Sequence, residues 1–353
     1  MKHIVAEYYW LEIPLKKPYR LSFGDIESYN SFIIIYKNKE KTCWGEVTAL
    51  PGYSWEHPVD IDKYITKTLT LYQDVTTLYK RLRSEIDKNP FAVTPILTGL
   101  EQIFTPIVWP NPVRIPLIGI LNEQDTKKIR KHIQVLLKTG YKVIKYKVGK
   151  NVEKDLQNIY FICKILPKNI KLRLDANQGY KIDEARYLVK HLKGLPIEFL
   201  EQPLKKDEWG NMSILNSESP VPLMLDESIW TKSDIEKVVQ CKAASYIKLK
   251  LCKHGSPLNT VALAIEAFKK GLNIVLGNGV QTELGCYIEG QIYNKIGLKT
   301  MGEMNGVFKL KKPISNIICI IKNGKLSAYF KNGLFINEKN IFVKKHKTFN
   351  IYF

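Results

Sequence analysis

No stretch of the chain approaches the roughly 18 consecutive apolar residues of a membrane span, which excludes a transmembrane helix. Glu7 interrupts the N-terminus before an apolar run can develop, and no small-residue cleavage site follows it. The opening residues therefore read as a strand of the mature protein, and the expected compartment is the cytoplasm. The six cysteines, at positions 43, 163, 241, 252, 286 and 319, form no Cys-x-x-Cys pair and sit mostly in apolar runs. That spacing argues for reduced, buried thiols and against a zinc site or a disulfide framework. Arg-rich blocks, nucleic-acid motifs, low-complexity segments and long linkers are also missing. Lys and Arg nevertheless outnumber Asp and Glu by 54 to 34, a formal charge of +20. Because the lysines are spread through every segment, they read as a solvated surface whose field favours anionic substrates, with neither nucleic acid nor membrane as the expected partner. A non-catalytic polyanion-binding protein is the remote alternative.

What is present is enough apolar sequence for a large core. The 353 residues suit a barrel of roughly 250 residues plus an appended module. From about residue 113 short apolar runs alternate with amphipathic stretches, the pattern of repeated βα units around a parallel sheet. Eight strands are expected: Val113 to Leu121, Val143 to Val148, Leu172 to Asn177, Ile197 to Glu201, Leu223 to Glu227, Tyr246 to Leu251, Asn273 to Gly277 and Thr300 to Glu303. Eight favour a closed (β/α)8 barrel, an α/β fold, over an open sheet. Between them, Asp125 to Thr139 places Ile129, Ile133, Leu136 and Leu137 on one helical face before Gly140 stops it. Leu258, Val261, Ile265 and Phe268 predict another such face, and Ser233 with Glu236 a capping box. Residues 1–110 have an α+β texture: strands at Ile4 to Leu15 and Phe32 to Trp44, joined through Pro18 to Asn30, then helices from Ile61 to Asp87 and Pro95 to Ile107. The expected division is a capping domain over 1–110, completed by the tail 310–353, and a barrel over 111–309.

Polar residues recur where these strands end: Lys147, Asp175, Glu201, Asp226, Lys250, Asn278 and Glu303, each 24 to 28 residues after the last. That interval is one βα unit, so their side chains converge at the C-terminal mouth of the barrel. Asp175, Glu201 and Asp226 stand on three adjacent strands, and burying them unpaired would be costly. A divalent cation removes that cost. An all-oxygen donor set without Cys or His favours a hard ion, Mg²⁺ with Mn²⁺ as a substitute. Lys145 with Lys147, and Lys248 with Lys250, form two Lys-x-Lys pairs whose period of two sends both members to the barrel interior. A lysine beside a metal and a second lysine is expected to have a lowered pKa and to act as a base.

The segments Lys145-Tyr-Lys-Val-Gly149, Leu174-Asp-Ala-Asn-Gln-Gly179, Phe199-Leu-Glu-Gln-Pro203, Leu225-Asp-Glu-Ser228 and Ile247-Lys-Leu-Lys-Leu-Cys-Lys-His-Gly255 resemble the ordered motifs of the enolase superfamily, muconate-lactonizing-enzyme subgroup. The resemblance implies a modified TIM barrel with an N-terminal capping domain. It also implies Mg²⁺-dependent removal of a proton α to a carboxylate through an enediolate. By position it makes Asp175, Glu201 and Asp226 the metal ligands, and Lys147 and Lys250 the acid and base on opposite faces of the substrate. Lys145, Asn177, Glu227 and Lys248 would support them, with Lys145 helping to keep Lys147 neutral. Arg20, Phe23 and Tyr53 lie in segments that resemble the family's two specificity loops. With Asn278, Glu303 and Asn305 they are the expected substrate contacts.

Departures from the family pattern narrow the reading. Val275-Leu-Gly-Asn-Gly-Val-Gln281 carries no histidine, which argues against the mandelate-racemase type, and His254 reads as a loop residue. Gly302-Glu-Met-Asn-Gly306 lacks the Asp-x-Asp that dipeptide epimerases resembling this chain carry. The leading expectation is racemisation or epimerisation of a dipeptide or N-substituted amino acid, a small carboxylate, by an isomerase acting as a homo-oligomer. The alternative is a carbon–oxygen lyase of the o-succinylbenzoate synthase kind, or a muconate-type cycloisomerase.

Overall fold

The structure is a computed structural model describing residues 3–21, 24–104, 110–331 and 333–352, with only the backbone described at Arg20, Leu21 and Asn340. Three strands open the chain: β1 (His3–Leu21), β2 (Gly24–Lys37) and β3 (Thr42–Ala49), antiparallel neighbours in that order. The segment Pro18 to Asn30, expected as a connection, is mostly strand. Its proline content appears instead as a slip in register between Pro14 and Tyr19, where two prolines cannot donate to the ladder. Phe32 to Trp44 is likewise two strands. Asn38 turns the chain between them, its side chain accepting from the backbone N–H groups of Glu40 and Lys41 at 2.9 and 2.8 Å.

Phe32 to Tyr36 is buried on both faces because this sheet separates two cores. Ile33 and Ile35 pack towards the barrel, whereas Phe32, Ile34 and Tyr36 meet helices Pro58–Leu71, Val75–Glu85 and Pro90–Phe104. A strand covered on both sides carries a continuous apolar run and no alternation.

The second part begins with β4 (Val113–Pro116) and β5 (Gly119–Leu121), so the expected first barrel strand is divided at Pro116. β5 continues into a parallel sheet with β6 (Val143–Lys147), β7 (Lys171–Asp175), β8 (Ile197–Glu201), β9 (Leu223–Leu225), β10 (Tyr246–Leu249) and β11 (Asn273–Leu276), neighbours in chain order. The expected eighth strand contracts to a single parallel bridge, Gly302 to Leu117. There Gly302 donates to Pro116 and accepts from Ile118, and the Thr300 hydroxyl reaches the Ile274 carbonyl at 2.7 Å. These contacts join the two edges, and the molecule is an α/β barrel with an antiparallel N-terminal sheet.

Chain order continues with a hairpin, β12 (Ile318–Lys322) and β13 (Lys325–Tyr329), which extends from β4. The last strand, β14 (Phe342–Tyr352), runs antiparallel to β1.

Helix Thr126–Thr139 buries Ile129, Ile133 and Leu136 and ends on left-handed Gly140, as its pattern predicts. Two other readings are corrected. The capping box is Thr231 with Asp234, one turn before the hydrophobic run at Ile235 and Val238, because Thr231 and Asp234 satisfy each other's backbone N–H groups. In helix Pro257–Lys269 the buried residues include Thr260, Leu263, Ala264 and Ala267, while Ile265 and Phe268 are exposed. Small side chains let this helix lie close to helix Glu283–Ile296, which overrides the larger apolar stripe.

Candidate active site

Polar side chains crowd the C-terminal ends of β6 to β10. Lys145 and Lys147 leave β6 on one face, Asp175 and Glu201 end β7 and β8, Asp226 and Glu227 follow β9, and Lys248 and Lys250 lie at the end of β10. In sheet order the two lysine strands flank the three carboxylate strands. The turns that carry these groups are unusual. Asn177, Gln178 and Gln202 occupy the left-handed region at φ 41°, 66° and 37°, conformations that cluster at functional sites. Gln202 then ties the next turn together: its carbonyl oxygen accepts from the backbone of Asp226 and Ser228, and its amide donates to Leu204 and Ser228.

The carboxylates and lysines form one network. Lys145 Nζ lies 2.7 Å from Glu201 and 2.9 Å from Asp175, and Lys147 lies 3.1 Å from Asp175. Lys248 contacts the opposite oxygen of Glu201 at 2.5 Å, and Lys250 contacts Asp226 at 2.8 Å. Burial would raise Asp175 and Asp226, but the surrounding lysines outweigh it and hold both below the usual carboxylate range. Glu201, fully buried and beside Asp175, is pushed up to about 7. Burial also opposes the charge on Lys147 and Lys250, yet Asp175 and Asp226 prevail and leave both above the ordinary lysine value. The lowering expected beside a cation and a second lysine is opposed here by the carboxylate that each lysine sits against.

A cavity of about 110 Å³ lies above this network, lined by Lys145, Lys147, Asp175, Asn177, Asp226, Glu227, Lys248, Lys250, Asn278, Glu303 and Asn305, with Tyr19, Leu50 and Tyr53 from the N-terminal part. Glu201 is absent from that lining and lies beneath it, between Lys145 and Lys248. Gly277 makes the close packing possible. A Cβ there would come within 2.7 Å of the Lys248 stem and 3.1 Å of the Lys250 stem.

Asn177 bridges the site, accepting from Lys147 and donating to Glu227 at 3.0 Å. Lys250 donates to the Tyr53 phenol at 2.8 Å, and Tyr53 donates to Asp226 at 3.1 Å. Glu303 turns its carboxylate inward to Lys248 at 2.8 Å and towards Lys145 and Arg173. Asn278 spends its amide on Glu289 at 2.5 Å and its carbonyl on the Gln281 N–H at 3.1 Å, and Asn305 donates to the Ile118 carbonyl. Phe23 and the Arg20 side chain lie outside the described residues.

Sequence reasoning missed four participants. Lys253 is completely buried and donates to the Asp226 carbonyl and carboxylate at 2.6 and 3.1 Å. His254, expected in a loop, ends a short helix (Leu251–His254) inside the protein, where its ring nitrogen contacts the Trp230 carbonyl at 3.1 Å and burial lowers its pKa to about 3. Only tertiary packing distinguishes these two from the chain's many surface lysines and a surface histidine. Tyr19 and Lys309 stand together at the cavity's edge, the Lys309 ammonium 3.3 Å from the ring centre. Burial would raise the Tyr19 phenol, but Lys309 and Lys147 bring it down to about 8.

The donor chemistry suits a hard divalent cation: Asp175, Glu201 and Asp226 end adjacent strands, and the buried Glu227 Oε2 has no hydrogen-bond partner. Among the described residues no three acidic, His or Cys groups are gathered closely enough to form a coordination sphere, because lysine ammonium groups stand between the carboxylates. Holding a cation requires those carboxylates to exchange part of their lysine contacts for it.

A family profile described as enolase C-terminal domain-like matches residues 128–329, more than half of the chain. The N-succinyl-L-Arg/Lys racemase of Bacillus cereus is 24% identical over 97% of both chains, and its crystal structure superposes with a TM-score of 0.86 at 22% identity, covering 99% of this chain and 100% of that one. The structure of the dipeptide epimerase from Cytophaga hutchinsonii, complexed with Mg and D-Ala-L-Val, gives a TM-score of 0.85 at 18% identity over all of both chains. Muconate lactonizing enzyme from Pseudomonas fluorescens gives 0.82 at 23% identity, over 95% of this chain and 96% of that one. With the profile match, the ordered motifs and the barrel-end network in agreement, the chain belongs to the enolase superfamily, in the muconate-lactonizing-enzyme subgroup.

Proposed function

We propose that the chain is a Mg²⁺-dependent racemase or epimerase acting on a dipeptide or an N-substituted amino acid. The observation that carries this reading is the placement of Lys147 and Lys250 on the strands flanking Asp175, Glu201 and Asp226, both facing one small cavity. A single base returns a proton to the side it came from, whereas two bases on opposite sides permit inversion.

In this reading residues 111–309 form the catalytic barrel, and residues 1–110 with part of the tail 310–353 cover its mouth, contributing Tyr19, Leu50 and Tyr53 to the cavity. Asp175, Glu201 and Asp226 would hold the cation, with Mn²⁺ able to replace Mg²⁺. When bound, the cation supplies the positive charge that a substrate carboxylate needs to take up a second negative charge. For each direction of the reaction, one lysine in its neutral amine form takes the α-proton and becomes an ammonium, while the other, starting as the ammonium, delivers a proton to the opposite face and becomes neutral. Asn177 fixes the Lys147 ammonium, and Tyr53 and Asp226 fix that of Lys250. The cap excludes water while charge develops. The names and structures of the B. cereus and C. hutchinsonii relatives support the substrate class.

Incubation with Mg²⁺ in D₂O and a library of dipeptides and N-acylamino acids tests the proposal. Deuterium should enter the α-carbon of at least one member together with loss of optical purity. No incorporation across a broad library, or incorporation only with elimination of water, overturns it.

A further inference from the structure

Among the described residues, six other than glycine adopt a positive φ, and five of them are Asn, Gln or Lys. The sixth is Val280, at φ 58°. A β-branched side chain in the left-handed region is strained against its own backbone, and it persists only where the surroundings leave no alternative. Val280 is also buried and lines the reacting cavity, together with Asn278 and Gly279.

Left-handed backbone is ordinarily given to glycine or asparagine, and both stand just before Val280. Each is committed elsewhere. A Cβ on Gly279 would come within 2.8 Å of the Cys252 sulfur, so this glycine serves a close approach. Asn278 donates to Glu289 at 2.5 Å and accepts from the Gln281 N–H at 3.1 Å, closing the turn across Val280. The far end of the turn is held by the N-terminal sheet. Glu46, buried on β3, accepts from the Thr282 N–H at 2.9 Å, the Thr282 hydroxyl at 2.6 Å and the Gly285 N–H at 2.8 Å. Those donors open helix Glu283–Ile296, whose N-terminus favours a negative charge. The turn is thus fastened at both ends by carboxylates, and Val280 between them cannot relax away from the cavity.

We infer that Val280 is a specificity-determining residue that limits the side chain on the reacting carbon, and that Glu46 is the positioning residue that keeps it there. The inference rests on the proposed reading of the reaction and adds a wall to the site. β11 lies next to β10 in the sheet, so the turn after it stands on the side of Lys250. The cavity, at about 110 Å³, is smaller than the roughly 150 Å³ that admits a benzene ring, and it must also hold the substrate carboxylate. Small side chains on the reacting carbon therefore fit beside Val280, and aromatic ones do not.

Binding tests this without turnover. The Mg²⁺-loaded protein is titrated calorimetrically with N-acetyl-L-alanine and N-acetyl-L-phenylalanine, and the ratio of the two affinities is the measure. The unsubstituted chain should favour the alanine compound. Val280→Gly, which accepts the left-handed backbone and removes the side chain, should shift the ratio towards the phenylalanine compound by about tenfold or more. Val280→Ala should shift it in the same direction. Glu46→Gln should do so with Val280 itself unchanged, and Thr282→Ala, which removes one donor to Glu46, repeats that test with less risk to folding. An unchanged ratio in either Val280 variant, an initial preference for the phenylalanine compound, or binding of neither compound overturns the assignment of Val280. An unchanged ratio in whichever of Glu46→Gln and Thr282→Ala folds overturns that of Glu46. Either failure is distinct from that of the proposed reaction, because deuterium would still enter the α-carbon of substrates whatever their size.

Discussion

Lys147 and Lys250 reach their positions through different supports. Lys147 is braced by Asn177 and Asp175, and Lys250 by Tyr53 and Asp226, so neither lysine depends on the other for its place. Removing one should therefore leave the other oriented. Lys147→Ala or Lys250→Ala is expected to slow interconversion of the two stereoisomers by about 10²- to 10⁴-fold, the usual contribution of one general acid or base. Each variant should still exchange the α-proton of one stereoisomer with D₂O, and the two variants should favour opposite hands. Proton NMR of each pure isomer with each variant reads this directly. If both variants exchange the same hand, the two-base arrangement is wrong.

A further carboxylate lies just outside the reacting network. Glu289, on helix Glu283–Ile296, is fully buried; it accepts from the Asn278 amide, the Gly279 backbone N–H is also directed at its carboxylate, and its Oε1 has no close hydrogen-bond partner. Burial pushes it up to about 8, with Glu46 raising it further and Lys250 opposing. A carboxyl group raised in the folded state from its ordinary value stabilises the fold fully below about pH 4 to 5, and that contribution is lost as pH rises through 8. Thermal unfolding should therefore show stability falling between pH 5 and 9 by on the order of a few kcal/mol. Glu289→Gln, which keeps the acceptor for Asn278, should flatten much of that slope. An unchanged slope assigns the dependence to other groups.

At the scale of the elements, what was legible in the sequence followed from periodicity and spacing. The βα rhythm located the barrel strands, and residues repeating once per unit located the carboxylates and lysines that the structure brings together. What escaped was decided by neighbours distant in sequence. Pro116 divides one strand because β4 finds a partner in β13, and the eighth strand shrinks to Gly302 because the Thr300 hydroxyl takes over one edge contact. Helix Pro257–Lys269 buries its small residues because another helix lies against them. Lys253 and Lys309 could not be separated from a chain with 54 basic residues until the fold placed one beneath Asp226 and the other at the edge of the cavity. Asn278 shows the same effect within one element: its place at a strand end was visible, but not that Glu289 and Gln281 would engage both ends of its amide.

For the whole molecule, the site is a source of tension as well as of chemistry. Asp175, Glu201, Asp226, Glu227 and Glu303 are withdrawn from water at the centre of a chain whose overall charge is +20, and they are balanced by Lys145, Lys147, Lys248, Lys250 and Lys253. Such a network costs desolvation that ion pairing only partly returns. A divalent cation that binds the folded chain and not the unfolded one shifts the balance by mass action, about 2.7 kcal/mol at a hundredfold excess over its dissociation constant. With the unfolding entropy typical of a chain of 353 residues, that corresponds to a rise in Tm of about 3 to 4 °C. Mg²⁺ titration followed by differential scanning calorimetry should show this rise, chelation should reverse it, and Glu201→Gln should abolish it while Lys248 retains Glu303 as a partner. A rise that persists undiminished in both Glu201→Gln and Asp175→Asn would place the cation elsewhere and leave the three strand-end carboxylates as counter-ions for the lysines alone.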